Sequence, residues 1–594
     1  MNDTTDNFLI EHSLSGKRWK LRDYESRITE QLMQQFGITD ITARLLSARG
    51  ITADTYHAFV APRLRTSLPA PDHLHDISKA AERIIAAIDN QERVAVFGDY
   101  DVDGATSTAL MIRFLRSFGL DPDLYIPDRI EEGYGPNPQA IKKLCEDHDL
   151  LLTVDCGITA FEAMDAAKPY ETDLIIIDHH TAEPELPDVY AVVNPNRLDE
   201  TGELGHMAAV GVVFLTIICV LTHLKQRGMS YDDLPDPRQW LDLVALGTIC
   251  DVMKLRGLNR AFVTQGLKVM SKRLNPGLKA LCDVSGVEGE IKSHHPGFVL
   301  GPRINAAGRI GDTTLGTRLL ISDDRAQAQV IAQTLDRNNR ERQAMEKQIL
   351  REAMAKAREE VDQHDYIMCI AGEGWHPGIV GLVASRLVSE YNRPAAAITI
   401  DETGMGKASS RSISGIDLGN LVIAARQEGI LESGGGHAMA AGFTLKRENI
   451  PVFQAYARER IIELYGEEPL KPVIKVDATI APQSVNMALY QEISQLEPYG
   501  NGNPKPRFLI KDAVIKGLDI LSGKHIRLYI GDSYGHGSLK VISFNTADSA
   551  MGRALQKAGK QSRVNLVGAL RLNEWQGRRT IEMHLDDAAL AEQN

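Results

Sequence analysis

Asp99, Asp101 and Asp103 alternate in the stretch Asp99-Tyr100-Asp101-Val102-Asp103-Gly104, immediately after the apolar run Val94-Ala95-Val96-Phe97. Three carboxylates at that spacing repel one another, and burying them unpaired is costly. A cation among them removes both difficulties, and a divalent metal is the simplest choice. Further donors follow: Asp155 in Thr153-Val154-Asp155-Cys156-Gly157, His179 and His180 after Asp178, and Asp251 in Gly247-Thr248-Ile249-Cys250-Asp251. Carboxylates with one or two imidazoles suit Mn²⁺ or Mg²⁺. This many acidic groups suggests two ions sharing a bridging carboxylate. Such a pair suits phosphoryl transfer, because it lowers the pKa of an attacking water and steadies charge on phosphate oxygens. The D-x-D-x-D-G pattern also opens a calcium loop, but the closing Glu of that loop is replaced by Leu110 and a strand-like run precedes it. Taken singly, Asp155 reads as a turn residue and His179-His180 as an ordinary pair near a strand end. The joint pattern points to a metal site.

The elements around these residues have the alternation such a site needs. Strand-like runs at Val94–Phe97, Leu124–Ile126, Leu150–Val154 and Leu174–Ile177 are separated by helical stretches such as Ala105–Phe118 and Gln139–Asp147. That alternation predicts βαβ units and a parallel sheet. Ligands just past successive parallel strands fall on one edge of the sheet, where open α/β sheets place their ligands.

The expected organisation is α/β. Residues 1–75 form a mostly helical lead-in, and residues 76–321 form the catalytic α/β domain. Residues 322–363 contain no Gly or Pro and read as one connecting helix. A second α/β domain spans residues 364–466, and residues 470–594 form an OB-type β-barrel of five short strands. The longest apolar run, Val210 to Leu221, is too short to span a bilayer and reads as a buried helix.

A second set of residues suits phosphate. The glycine-rich segment Gly434-Gly435-Gly436-His437 is expected as a turn that frees backbone N–H groups for an anion, with His437 adding a donor. Arg303 and Arg309, framed by Gly301, Pro302 and Gly308, could fork onto phosphates or serve as surface ion pairs. Arg129 and the cluster Ser409-Ser410-Arg411 suit a terminal phosphate, and His376 in Trp375-His376-Pro377 could meet the strand. In the barrel, Lys505, Arg507, Lys511, Lys524, Arg527 and Lys540 accompany Tyr499, Phe508, Tyr529 and Trp575, a mixture suited to single-stranded nucleic acid. The alternative for those aromatic residues is the barrel core.

Net charge is −13. From Lys471 onward there are 16 Lys and Arg against 12 Asp and Glu, so the acidity belongs to the remainder. The six cysteines form no C-x-x-C pair, which argues against a disulfide framework or a structural zinc and fits a reducing cytoplasm. The first residues carry no signal-peptide pattern. There is no G-x-x-x-x-G-K-[ST], so no ATP dependence is expected from a P-loop.

Together the acidic and histidine motifs resemble the successive motifs of the DHH phosphoesterase superfamily. Gly434–Gly442 is similar to the GGGH motif of the companion DHHA1 domain, and Gly301–Arg309 and Trp375–Gly381 are similar to segments of the RecJ branch, the single-strand-specific DNA exonucleases. The resemblance implies two Mn²⁺ or Mg²⁺ ions. Asp101, Asp103, Asp155, His179 and Asp251 would be ligands, with Asp155 bridging and catalytic. Asp99 would complete or back the first ion's shell, since superfamily relatives carry a His where this chain has Phe97. His180 and Arg303 would face the scissile phosphate. Arg129, Asn305, Arg309, His376, Ser409, Arg411, Gly435, Gly436 and His437 would hold the strand. The implied activity is 5′→3′ hydrolysis of single-stranded DNA to mononucleotides in recombination and repair. The implied partners are single-strand-binding protein and a helicase, with a monomeric enzyme and no membrane. Two alternatives stay open: a phosphodiesterase for oligoribonucleotides or cyclic dinucleotides, and a non-catalytic single-strand-DNA-binding scaffold.

Overall fold

The structure is a computed structural model that describes residues 8–129, 132–133, 135–360, 366–466, 471–575 and 577–591. The chain divides into two compact units. One comprises Leu64–Lys254 with Leu258–Leu470; the other comprises Met1–Arg63, Leu255–Gly257 and Lys471–Asn594. Strands are numbered from β1 (Arg18–Leu21), which belongs to the second unit.

The larger unit opens with a five-stranded parallel sheet: β2 (Val94–Gly98), β3 (Asp123–Tyr125), β4 (Leu150–Val154), β5 (Asp173–Ile177) and β6 (Ala191–Val193), in the order β3-β2-β4-β5-β6. Every residue of β2 and β4 is buried, as continuous apolar runs covered on both faces must be. The predicted strands are present within a residue or two. Strand β6 has only three residues and escapes a pattern search. The apolar stretch around Val210 is the helix Ala209–Gln226, long and apolar enough to cross a membrane, with 72% of it buried inside the protein.

The gap-free stretch after 322 forms the helix Arg325–Glu360. At 1.5 Å per residue it is about 54 Å long. Ala328, Ile331, Ala332 and Leu335 are buried in its first half, and Ile349, Ala353 and Ala357 in its second. Between them the buried residues are polar: Asp336, Asn338, Asn339 and Arg342. Its second apolar stripe joins Met368, Ile370, Trp375 and Ile379 in one cluster.

A second sheet follows, with β7 (Met368–Glu373), β8 (Ala395–Ile400), β9 (Met405–Arg411), β10 (Ser433–His437) and β11 (Ala440–Lys446) in the order β10-β11-β9-β8-β7. The glycine-rich segment expected as a turn is therefore strand β10, at the sheet's edge. Gly436 allows this. Its φ is +151°, and a Cβ there would lie 2.4 Å from the Ala440 carbonyl oxygen.

The smaller unit is built on β12 (Val473–Val476), β13 (Ala478–Thr479), β14 (Phe508–Leu521), β15 (His525–Gly531), β16 (Leu539–Ser543), β17 (Arg563–Trp575) and β18 (Arg578–Leu590). The five long strands match the five predicted runs. Pairing of β14 with both β15 and β17 joins the ends of the β13-β14-β15-β16-β18-β17 order. The β14–β15 hairpin turns through Ser522, Gly523 and Lys524; Ser522 and Gly523 take positive φ, and the Lys524 N–H donates to the Leu521 carbonyl at 3.0 Å.

The first 63 residues are not a lead-in to the catalytic sheet. Strand β1 pairs in parallel with β12, Trp19 donates to the buried Asp587 at 2.9 Å, and Leu32, Leu45 and Leu46 share a core with Phe508 and Ile526. Phe508 is fully buried there, so it serves the core and offers no stacking face. Lys540, Arg507 and Arg527 pair with Glu582, Asp586 and Asp519 respectively, which tempers the positive charge of this surface. The Tyr529 ring lies under the Arg527 guanidinium at 5.5 Å. The side chain of Trp575 lies outside the described residues.

Candidate metal centre and phosphate site

The register of the first sheet aligns Gly98, Val154, Ile177 and Val193 in one row at the strands' C-terminal ends. One residue further along stand Asp99, Asp155, Asp178 and Asn194. Strand β2 is the point where strand order reverses, and Asp99 and Asp155 flank that switch. Asp155 takes φ +60°, a conformation Asp accepts more readily than most residues. Asp101 caps the helix Val102–Arg116, its carboxylate accepting from the Gly104 N–H at 3.0 Å. Gly104 runs so close to Asp99 that a Cβ would sit 2.4 Å from the Asp99 carbonyl oxygen. Asp103, in the first turn, accepts from the N–H groups of Ala209 and Val210 at 2.7 and 3.1 Å, so it anchors the start of the helix Ala209–Gln226. Asp251 does not follow a strand. It ends the helix Leu241–Cys250, where the negative end of the helix dipole makes a carboxylate costly without a cation.

His179 completes the cluster. Its Nδ1 lies 2.8 Å from the Met207 carbonyl, which can only accept, so that nitrogen carries the proton. Nε2 then faces Asp155 at 3.2 Å, Asp251 at 3.7 Å and Asp103 at 3.8 Å. Three donor groups result: Asp99 with Asp101 and Asp155; Asp103 with His179 and Asp251; and Asp155 with His179 and His180. Within each, the ligand atoms lie within 4.8 Å of one another. Asp155 belongs to two of the three.

The electrostatics call for cations. Burial, reinforced by Asp101, pushes Asp99 up to about 8. Burial pushes Asp103 up to about 6 against the opposing pull of His179. Burial with Asp103 and Asp101 pushes Asp251 up to about 9, and Asp155 is raised well above the usual carboxylate range by burial and all four neighbouring carboxylates. Asp99 Oδ1 and Asp251 Oδ2 are buried with no hydrogen-bond partner among the described residues. An oxygen-rich, deprotonatable set with one imidazole nitrogen aimed into it fits hard divalent ions. His180 has a different role. Its burial is outweighed by a 2.7 Å hydrogen bond to Asp178, which raises it to about 9, so it stands as an imidazolium at neutral pH. Asp178 is held below the usual range despite full burial, because His180 and the backbone N–H groups of His179 and His180 satisfy it.

A second cluster has the opposite sign. Arg309 is lowered to about 10 by burial and then by Arg129, Arg342 and Arg411. Arg411 is lowered by burial and by Arg129. Arg129 lies over the Tyr100 ring at 5.1 Å, one residue from Asp99. Arg309 donates to the Gly378 carbonyl, and Arg411 to Ser409 Oγ and the Ser410 carbonyl. Among the described residues only Arg342 of these four has a carboxylate partner, Glu346 at 2.7 Å. The register of the second sheet sets His437, Ala440 and Arg411 in one row and Gly435, Gly442 and Ser409 in another. A Cβ on Gly381, in the helix Pro377–Tyr391, would lie 2.8 Å from Ser409 Oγ and 3.2 Å from Arg411 Nη2. Arg129, Arg309 and the pair Ser409 and Arg411 of β9 are thus drawn together from three segments.

Two further expected residues have structural partners. Arg303 pairs with Asp336 at 3.0 Å and donates to the Val299 carbonyl. His376 caps the helix Pro377–Tyr391 by accepting from the Gly378 N–H at 3.1 Å. Gly436 and His437 are exposed on the edge strand. Arg342 and Asp178 were not singled out from the sequence. Arg342 could have been, because the apolar stripe of its helix breaks off between Leu335 and Ile349.

Comparison with known proteins agrees with this geometry. Residues 93–248 match the DHH family, N-terminal domain; residues 363–463 match the DHHA1 domain; and residues 476–587 match the RecJ OB domain. The single-stranded-DNA-specific exonuclease RecJ of Bacillus subtilis is 36% identical over 97% of this chain and 71% of its own length. The Escherichia coli protein of that name is 31% identical over 86% of this chain and 90% of its own. A crystal structure of RecJ from Thermus thermophilus in complex with Mn²⁺ superposes with a TM-score of 0.81 at 28% identity, covering 97% of this chain and 80% of that one.

Proposed function

From the premise that the chain belongs to the RecJ family of single-stranded-DNA-specific exonucleases, we propose that it hydrolyses single-stranded DNA from the 5′ end, releasing mononucleotides. The observation that carries this reading is the joining of two buried clusters of opposite sign in one unit: carboxylates short of cations, and guanidiniums short of an anion. A polyanion bound with divalent ions satisfies both.

Asp99, Asp101 and Asp155 would hold one Mn²⁺ or Mg²⁺ ion, and Asp103, His179 and Asp251 the other, with Asp155 shared. Bound there, the ions supply an activated water and charge neutralisation at the phosphate. The chain's residues do the rest. The Met207 carbonyl holds His179 by Nδ1 and leaves Nε2 as the nitrogen turned toward the carboxylates. Asp178 keeps His180 protonated, so His180 offers an N–H to a non-bridging or leaving oxygen. Arg303, steadied by Asp336 and the Val299 carbonyl, has a third nitrogen for the scissile phosphate. Arg129, Ser409 and Arg411 receive the terminal phosphate, with Arg309, Asn305, His376 and the β10 edge at Gly435, Gly436 and His437 along the strand. Cytoplasmic location, a monomeric state, and handover from a helicase and single-strand-binding protein complete the proposal.

The test is a time course on 5′-phosphorylated single-stranded DNA, duplex DNA and RNA, with Mn²⁺, Mg²⁺ or EDTA. Stepwise mononucleotide release from single strands with either metal, and none in EDTA, is expected. Cleavage of duplex at the same rate, or of dinucleotides alone, would overturn the reading.

A further inference from the structure

Phe298 is 82% exposed, a large apolar ring left in water. It lies on the single π-turn Pro296–Leu300, which runs directly into the helix Gly301–Ile310. That turn stands against the helix that ends in Asp251: Gly301 approaches Cys250 so closely that a Cβ would lie 2.5 Å from its Sγ, and Cys250 Sγ donates to the Pro296 carbonyl. The turn that carries the ring is therefore packed against the helix that ends in Asp251.

Phe298 also lines a cavity of about 370 Å³ with Asn305, Arg309, Arg342, Glu346 and Arg386. Glu346 pairs with Arg342 at 2.7 Å and with Arg386 at 3.3 Å, while Arg309 has no carboxylate partner among the described residues. Three guanidiniums against one carboxylate leave two positive charges. An aromatic face beside an excess of guanidinium is the combination that binds a nucleotide: the base stacks, and the phosphodiester meets the cations. The volume lies within the range of small-ligand sites.

We propose that this cavity is a base-binding subsite for one nucleotide of the substrate strand, with Phe298 as its stacking face and Arg309 linking it to the terminal-phosphate cluster. The subsite rests on the exonuclease reading. It adds a specificity for single strands that metal ligation cannot supply, because a base paired in a duplex has no free face to present to the ring.

The test is run on the full chain. In EDTA, 5′-phosphorylated oligonucleotides carrying one fluorescent purine analogue are bound, the analogue being moved one position at a time. One internal position is expected to be quenched by wild-type protein and restored by Phe298→Ala, with Phe298→Trp quenching again. With Mn²⁺, Phe298→Ala is expected to raise KM for single-stranded DNA by about tenfold, the size of one lost base stack, and Phe298→Trp to return it. If wild-type protein cuts single strands while Phe298→Ala matches it in KM and in every quenching position, the subsite is wrong and the exonuclease reading stands. If the free 5′-mononucleotide of the fluorescent analogue is quenched in the same way and no oligonucleotide position is, the cavity holds released product and the proposal also fails. If wild-type protein cuts nothing, the exonuclease reading itself is wrong.

Discussion

The carboxylate cluster and the arginine cluster are built in contrasting ways. The carboxylates stand one residue beyond a registered row of parallel strands, and two of them cap helices. The arginines come from a loop, the ends of a helix and a strand, and the middle of a long helix. Among the described residues of the two clusters, backbone strain lies on the acidic side. Asp155 and Val252, beside Asp251, take φ of +60° and +58°, whereas none of the four arginines lies at positive φ. The acidic site is fixed by backbone before any ligand arrives; the basic site depends on side chains held by carbonyls and a hydroxyl. This difference suits ions that demand fixed geometry on one side, and a flexible strand that demands charge on the other.

The largest effect that can break this comparison comes from the shared ligand. Asp155→Asn keeps the backbone conformation but removes the charge common to two donor groups. Metal-dependent cleavage is expected to fall by roughly 10³-fold or more, beyond the loss of an ordinary preorganised donor. Strand binding in EDTA should be unchanged, and an equal loss of both would merge the two clusters into one. On the other side, Arg411→Ala is expected to weaken binding of a 5′-phosphorylated strand about tenfold and to reduce the slope of log affinity against log salt by about one. Mn²⁺ titration of the same variant should match wild type.

How much of this could be read from sequence follows the same division. Asp99, Asp101, Asp103, Asp155 and His179 each follow a strand with a strong apolar signature, so alternation and register were enough to bring them together. Asp251 was found by motif, but its helical setting was not. Gly434–His437 was expected as a turn because glycine signals turns locally; the pairing with Ala440–Thr444 that makes it a strand is a tertiary fact. Arg342 is one charged residue in a long charged helix, marked in sequence by the break in the apolar stripe between Leu335 and Ile349, while its burial is a fact of folding. The packing of Trp19 and Leu32 against a barrel more than 400 residues later leaves no local trace.

A pH experiment sharpens the acidic half. Asp99 and Asp251 titrate near 8 and 9 in the folded protein against about 4 in an unfolded chain, so the metal-free native state binds more protons over that interval. Its stability is therefore expected to fall as pH rises from about 5 to 9. Saturating Mn²⁺ should flatten the trend in thermal denaturation, and a metal-free stability that rises over this range would contradict the electrostatic picture. The smallest effect concerns the strain. Val252→Gly removes a β-branched residue from the left-handed region and is expected to stabilise the metal-free protein by about 1 kcal/mol, read as a small rise in Tm.

The central claim is that buried, proton-holding carboxylates exchange those protons for two cations. Calorimetric titration of Mn²⁺ into chelator-treated protein at pH 7, repeated in buffers of different ionisation enthalpy, measures stoichiometry and proton release together. The expected result is two ions per chain with net proton release, both lost in step with cleavage in Asp155→Asn. Binding without proton release, or full cleavage at a stoichiometry of zero, would contradict it.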